Sequence, residues 1–407
     1  MEEKLLYDIH CHAMNLSHPN FSAFIRRMHI SFILTVFAPI AGIFMEKEVN
    51  KVKNLLAVME NDLGSYFLLM EEDLKNSSDI WCGNGTVRGK LKIGEHTYDK
   101  LIITPLMMDF GFKNMSDPKI YYSRLADKPI VEQVTDLFNG IKKYMQESSE
   151  QLLEIYPFLG INTRNYSLEK IKLLLEKYFK EYGGTYKSLH DNFGKCLEFD
   201  GNIDKLGSNY FSGVKLYPPL GFDPWPENEP EELEKVNYLY RFCVSKSIPI
   251  TIHCSDGGYI VGDPKASEKR TSPEHWEPIL SRYPELKINF AHMGKTSKFW
   301  KMFSREKWAD KIFELVLKYD NVYTDFSCCA FGDKFYKYLS RKIQRYGDAE
   351  RSKLESRIMF GTDFMINLLY INSYSKYIDI FSNVGLLSGN QKHKFCHTNP
   401  AAFLFVK

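Results

Sequence analysis

The sequence predicts an α/β protein built as a (β/α)8 TIM barrel with an insertion between strands one and two. Short apolar runs alternate with longer amphipathic stretches, the rhythm of a parallel sheet with helical crossovers. Eight such runs can be traced. Five of the apolar segments carry a residue able to bind or work beside a metal, and four of those residues sit at C-terminal strand ends, the rim where barrel enzymes build their sites.

Strand one is 5–12, Leu-Leu-Tyr-Asp-Ile-His-Cys-His, and ends in the turn-rich 15–20. Strand two is 101–108 and stops at Asp109; strand three falls around 151–160. Strand four is 212–217, closed by Pro218-Pro219. Strands five to eight are 249–253, 287–292, 322–327 and 357–363. Between them, 167–182 places Leu168, Ile171, Leu174, Leu175 and Phe179 near a 3.6-residue period, with Ser167 as N-cap. Stretches 231–246 and 307–319 read the same way, and 337–353 is a charged surface helix. The gap from strand one to strand two is too long for one crossover. It holds helical sequence over 46–74, a loop at 81–85, and a hairpin of 86–93 and 97–103 turning at Gly94-Glu95. We read 46–100 as an insertion, either over the barrel mouth as a lid or, equally, a peripheral decoration, within a single domain of residues 1–407, because no repeat or low-complexity linker divides the chain.

Of 407 residues, 44% are hydrophobic, enough for a large core. Fifty-three Lys and Arg against 51 Asp and Glu leave a formal charge of +2, which argues against nucleic acid or an anionic membrane as partner. A small-molecule substrate is expected instead. No apolar run approaches the ~20 residues of a bilayer span, and no signal peptide opens the chain. Eight cysteines are scattered without a C-x-x-C pair, so reduced thiols in the cytoplasm are expected. A homodimer is expected only from the commonness of two-fold assemblies.

Strand side chains alternate between faces, so His10 and His12 share one face and Cys11 takes the other. His253, His292 and Asp363 each close a strand. Taken singly, each has an ordinary reading: a hydrogen-bonded core histidine, or an aspartate capping a helix. Together, in barrel order, they predict one metal site. Imidazole with carboxylate suits Zn2+, Fe2+ or Mn2+. Tyr217, Asp256 and Ser327 lie where they could touch substrate. Asp109 could orient substrate or cap the next element, and Arg164 could pair a substrate carboxylate, though surface arginines are common. His18, His393 and His397 are expected as surface histidines. Cys254 should face away from the pocket.

Asp8-x-His10-x-His12, Lys215, His253, His292 and Gly361-Thr362-Asp363 together resemble the amidohydrolase superfamily. The likeness is to its amidohydrolase-2-type branch, which includes aminocarboxymuconate semialdehyde decarboxylase. It extends over nearly the whole chain, through 213–219, 321–327 and 399–405. The resemblance implies one divalent metal, zinc by expectation with manganese or iron as alternatives. His10, His12, His253 and Asp363 would hold it, with Asp363 also the general base. His292 would polarise a substrate carbonyl, and Lys215 and Tyr217 would contact substrate. Were Lys215 carboxylated, two metals would be bound, His253 and His292 taking the second. The implied activity is metal-dependent hydrolysis of a C–N or C–O bond. A decarboxylase on the same metal site is the alternative, marked by an arginine at the mouth, such as Arg88 from the insertion. A catalytically silent binding barrel is a third reading. A nuclease with a similar His-x-His would need a glutamate where this chain has Lys215.

Overall fold

The computed structural model describes residues 3–19, 46–84, 87–111, 128–295 and 302–406. Its main sheet is parallel and runs in the order β1, β5, β7, β8, β9, β10, β11, β12, with β6 paired to β5. These strands are β1 (Leu5–His12), β5 (Lys100–Leu106), β6 (Leu153–Ile155), β7 (Phe158–Gly160), β8 (Gly213–Leu216), β9 (Ile250–Ile252), β10 (Ile288–Phe290), β11 (Val322–Asp325) and β12 (Ile358–Met359). A smaller antiparallel sheet holds β2 (Trp81–Asn84), β3 (Val87–Ile93) and β4 (His96–Tyr98). Every residue of β1, β5 and β8 is buried. That is the burial of a parallel sheet covered on one face by helices and on the other by its own interior.

The ring closes between first and last strands. Ile9 N donates to Phe360 O (3.3 Å), His12 N to Phe364 O (2.6 Å) and Asp363 N to His10 O (2.6 Å). A buried carboxylate reinforces this seam. Asp8 accepts from Thr362 N (2.9 Å), Thr362 Oγ1 (2.7 Å) and Tyr374 Oη (3.0 Å). Burial pushes Asp8 up to about 6, against the pull of those donors. The predicted (β/α)8 barrel is the observed architecture.

Several elements differ from expectation for identifiable reasons. Strand three is two short strands, because Pro157 has no N–H to give to a ladder and breaks the run. The helical stretch 46–74 is two helices, Glu46–Met59 and Leu63–Lys75, parted where Asp62 accepts from Ser65 N at 2.9 Å as N-cap. The charged stretch 337–353 is likewise divided, into Asp333–Ile343 and Asp348–Glu355. Residues 81–84, expected as loop, pair with β3 instead. Ser167 caps Leu168–Phe179 as predicted.

The inserted hairpin does not cover the mouth. Lys4, at the N-terminal end of β1, donates its N–H to Asp99 (2.9 Å) and receives Asp99 N on its carbonyl (2.7 Å). Tyr98 meets His393, and Gly94 N donates to Ser382 Oγ (3.0 Å). The small sheet therefore seals the bottom of the barrel, opposite the strand C-termini. Among the described residues, no helix is long and apolar enough to cross a membrane.

Candidate metal centre

At the C-terminal ends of the strands, His10, His292 and Asp363 bring one potential ligand atom each within 4.8 Å of one another. His12 and His253 flank them. His12 Nε2 lies 3.0 Å from Asp363 Oδ1, His10 Nε2 3.4 Å from the same oxygen, and His253 Nδ1 3.1 Å from His292 Nε2. All five residues are buried. The expected set is thus assembled, with His292 inside the cluster rather than beside it.

Proton bookkeeping shows what the cluster is for. Tautomers follow from the partner of the other ring nitrogen. His10 Nδ1 faces Asp325 Oδ2 at 3.1 Å, an acceptor, so Nδ1 carries the hydrogen. His12 Nδ1 faces the Leu106 carbonyl (3.3 Å), His292 Nδ1 the Ser327 carbonyl (3.1 Å), and His253 Nε2 the Gly257 carbonyl (2.9 Å). Each imidazole therefore spends its N–H outward. The lone pairs of His10 Nε2, His12 Nε2, His292 Nε2 and His253 Nδ1 turn inward on one another and on the Asp363 carboxylate. Acceptors facing acceptors at 3.0–3.4 Å repel unless a positive charge sits among them. His10 Nε2 is buried with no hydrogen-bond partner among the described residues.

Protons fill that role poorly here. Burial drives His12 and His253 below the ordinary imidazole range and His292 down to about 3, leaving them neutral near pH 7. Burial alone would raise Asp363, but the polar contact with the His12 imidazole and the neighbouring His292 more than offset it and keep the carboxylate ionised. Neutral imidazoles and an ionised carboxylate are the states a divalent ion needs. The residues fit such an ion.

Local backbone strain supports the arrangement. His292 (φ 62°), Asp363 (φ 63°) and Cys328 (φ 54°) are all left-handed without being glycine. Each such residue costs roughly 1–3 kcal/mol and persists where the surroundings over-determine it. For His292, a one-turn 3-10 segment ends β10 early and swings the ring over the barrel axis.

Other candidates sort plainly. Lys215 is buried at 1% exposure, and its Nζ has no hydrogen-bond partner among the described residues. Burial brings its ammonium down to about 8, while the Asp325 and Asp363 charges oppose the fall. Tyr217 lines the pocket, its ring 4.6 Å from that of His253, and its hydroxyl accepts from Tyr259 N at 3.0 Å. The glycine before Tyr259 is required: Gly258 has φ +119°, and a Cβ there would fall 2.3 Å from Tyr217 Oη and 3.1 Å from His253 Nε2. Ser327, expected to meet substrate, is instead fully buried beneath His10 and His292. Asp109 neither lines the pocket nor caps the next element but braces the 162–165 turn, accepting from Asn162 N (3.0 Å) and Asn165 Nδ2 (2.9 Å). Arg164 is bound bidentate to Glu229 (2.7 and 2.8 Å). Asp256 is not among the residues lining the pocket. His18 is buried, not exposed, and pairs Asp136 at 2.9 Å. His393 and His397 are half-buried and stack on one another, 4.6 Å between centroids, at the barrel bottom. Cys254 is buried and absent from the pocket lining, as expected. The side chain of Arg88 lies outside the described residues.

Sequence reasoning gave no role to Asp325, which sits behind His10 and also accepts from Asn289 Nδ2 (2.7 Å) and His292 N (3.1 Å). The signal was available. Asp325 and Ser327 are two apart on a strand and share its inward face, where a lone carboxylate is costly unless paired. Lys295 was also missed. It lines the mouth, its Nζ donating to Cys328 O (2.6 Å) and lying 4.6 Å from the Tyr370 ring centre.

A parallel α/β barrel with a constellation of imidazoles and carboxylate at its mouth defines a class of metal-centred barrels. The sequence profile of the amidohydrolase family matches residues 201–406, just over half of the chain. The chain belongs to the amidohydrolase family, of the amidohydrolase-2 type. Among solved structures, it is similar to 5-carboxyvanillate decarboxylase of Novosphingobium aromaticivorans, solved with manganese and 4-hydroxy-3-methoxy-5-nitrobenzoic acid. That similarity is 12% identity over 99% of this chain and 96% of that one, with a TM-score of 0.48. It is also similar to 2,6-dihydroxybenzoate decarboxylase from Rhizobium (11% identity, 99% of each chain, TM-score 0.44). A third is a zinc-bound amidohydrolase of Burkholderia multivorans (12% identity, 74% of this chain and 84% of that one, TM-score 0.41). No curated protein matches the chain.

Proposed function

We propose that this protein is a metal-dependent hydrolase acting on a C–N or C–O bond of a small molecule. The observation that carries this is the inward convergence of four imidazole lone pairs on an ionised carboxylate. His10, His12, His253 and Asp363 would hold a divalent ion, zinc by preference of the donor set. Such an ion supplies a Lewis acid and lowers the pKa of a water it binds. Asp363 is the general base: its carboxylate stays ionised, takes the proton of the attacking water and returns it to the leaving group. His292 would have polarised a substrate carbonyl only through an Nε2–H. We place its hydrogen on Nδ1 against the Ser327 carbonyl and so assign it as a further donor to the ion beside those four. Tyr217 lines the pocket, anchored through Tyr259 N, and would contact substrate, whereas Lys215 is buried and outside the lining and would act from beneath the centre.

A decarboxylase on the same centre is favoured by one observation, the ammonium of Lys295 at the mouth beside Tyr370, which could read a substrate carboxylate. The experiment is elemental analysis of the purified chain with a His12→Ala control, then turnover of an ester, amide, lactone and carboxylic-acid panel before and after chelation. About one ion per chain, lost in the variant, with chelator-sensitive hydrolysis, supports the proposal. Chelator-sensitive CO2 release from an acid without hydrolysis moves the function to the lyase reading. Full activity in metal-free protein refutes both.

A further inference from the structure

Ser327 is a group that metal ligation and general-base chemistry do not use, yet it is among the most heavily engaged side chains of the centre. It lies two residues beyond β11, in the turn that follows, with no exposure. Its Oγ stands 3.0 Å from His10 Nδ1 and 2.9 Å from His292 Nδ1, and it donates a short hydrogen bond to Asp325 Oδ1. A hydroxyl has one hydrogen and two lone pairs. With the hydrogen given to the carboxylate, both lone pairs can accept, and among the described residues the donors offered are the two imidazole Nδ1–H groups. Each of those hydrogens has a second acceptor on the same side: Asp325 Oδ2 for His10 and the Ser327 carbonyl for His292. Asp325 Oδ1 in turn takes Ser327 N at 3.0 Å and His292 N at 3.1 Å.

We infer that the Ser327 hydroxyl is the shared tautomer lock of the metal centre, holding the hydrogens of both His10 and His292 on Nδ1 and so turning both Nε2 lone pairs toward the ion. The inference rests on the metal-centre reading and adds a positioning residue to it. Ser327 joins imidazoles from β1 and from the turn after β10 through one saturated oxygen. Flipping either ring or moving either hydrogen to Nε2 leaves that oxygen a bond short in a place water does not reach. Removing the oxygen leaves each Nδ1–H a single acceptor and loosens both imidazoles at once, and outer partners of ligating histidines are typically worth 10–100-fold in metal affinity.

The test uses the full chain stripped of metal and titrated with Co2+ against a competing chelator, following the visible absorption of the bound ion. Ser327→Ala should bind Co2+ at least tenfold more weakly with an altered visible spectrum, and Ser327→Thr, which keeps the hydroxyl, should restore most of the affinity. In 15N-histidine-labelled metal-free protein, the shifts of two imidazoles should report Nδ1–H in the wild type and lose that state in Ser327→Ala. Far-UV circular dichroism establishes that each variant is folded, and should Ser327→Ala not fold, the wild-type 15N shifts alone decide. Wild-type binding with Ser327→Ala within twofold of it and an unchanged spectrum overturns the lock. So does a Ser327→Thr variant as weak as Ser327→Ala, or a wild-type protein with Nε2–H on either ring. No Co2+ binding by the wild type overturns the metal-centre reading itself, and this is seen before any substitution is made.

Discussion

Replacing Asp325 by asparagine changes one atom's chemistry in the middle of five donors. Oδ2 faces His10 Nδ1 and Asn289 Nδ2; Oδ1 faces His292 N, Ser327 N and Ser327 Oγ. An amide can keep one acceptor oxygen, and the crowded Oδ1 side claims it. The amide NH2 then meets two donors. Asn289 loses a partner for its own NH2, a buried unmet donor worth about 1–3 kcal/mol. His10 is left with the Ser327 Oγ contact alone for its Nδ1–H, or moves its hydrogen to Nε2, where the ion would sit. Binding the ion must then displace that hydrogen and restore the donor clash. We therefore expect metal affinity to fall roughly 10–100-fold, about 1.4–2.7 kcal/mol. The charge matters too: burial tends to raise Asp325, yet the His10 and His292 groups and the Ser327 hydroxyl hold it well below the usual carboxylate range, so the wild type keeps it ionised at every working pH. The assay is metal titration of the apo-protein against a chelator, with thermal unfolding as the folding control. A folded Asp325→Asn protein that binds metal within twofold of wild type would refute the reasoning.

Lys215→Met should make the metal-free protein more stable at pH 7, by roughly 1–3 kcal/mol, because the fold lowers that ammonium from 10.5 to about 8. The unfolded chain holds the proton more tightly, so wild-type stability should rise between pH 8 and 10.5 and that of the variant should not; urea unfolding at pH 7 and 9.5 checks both. Burial first, then the charges of His397 and His96, lower His393 to about 4. Its contribution is complete above about 6.5, the unfolded value, and is lost as pH falls toward 4. His393→Phe should flatten that acid limb, read as the difference in Tm between pH 7 and 4.5; an unchanged limb counts against the stacked-histidine account. Gly258→Ala should displace the loop over His253, costing about 1–3 kcal/mol of stability, and should lower metal occupancy even where Tm is retained. Occupancy equal to wild type would show that this loop has no part in holding His253.

The barrel was legible because its strands are apolar runs of the right length and order, and because His10 and His12 obey strand alternation. Asp363 and His253 followed from their place at strand ends. The limits are physical. Nothing in the residues Phe290 to Gly294 announces that His292 will be left-handed, since only glycine advertises that conformation. The tautomers depend on carbonyls of Leu106, Gly257 and Ser327, which every residue possesses. The 81–103 segment showed a hairpin with a face to bury, but periodicity does not say against what, and it settled at the bottom of the barrel beside Lys4 rather than at the mouth. Asp325 was overlooked because its partners, His10 and Asn289, are 315 and 36 residues away in the chain.

The seam at Asp8 bears on how the protein is made. Its hydroxyl and amide partners on Thr362 are 354 residues downstream, and among the described residues the outer edge of β1 pairs with backbone between Phe360 and Phe364. On a ribosome adding about 5–20 residues per second, that edge waits roughly 20–70 seconds for its neighbour. Throughout that interval it is an unpaired apolar strand of the kind that recruits foreign chains, and neither His10 nor His12 has Asp363 beside it. Nascent chains stalled before residue 360 should therefore need chaperone protection, and they would lack Asp363 as a partner for an ion.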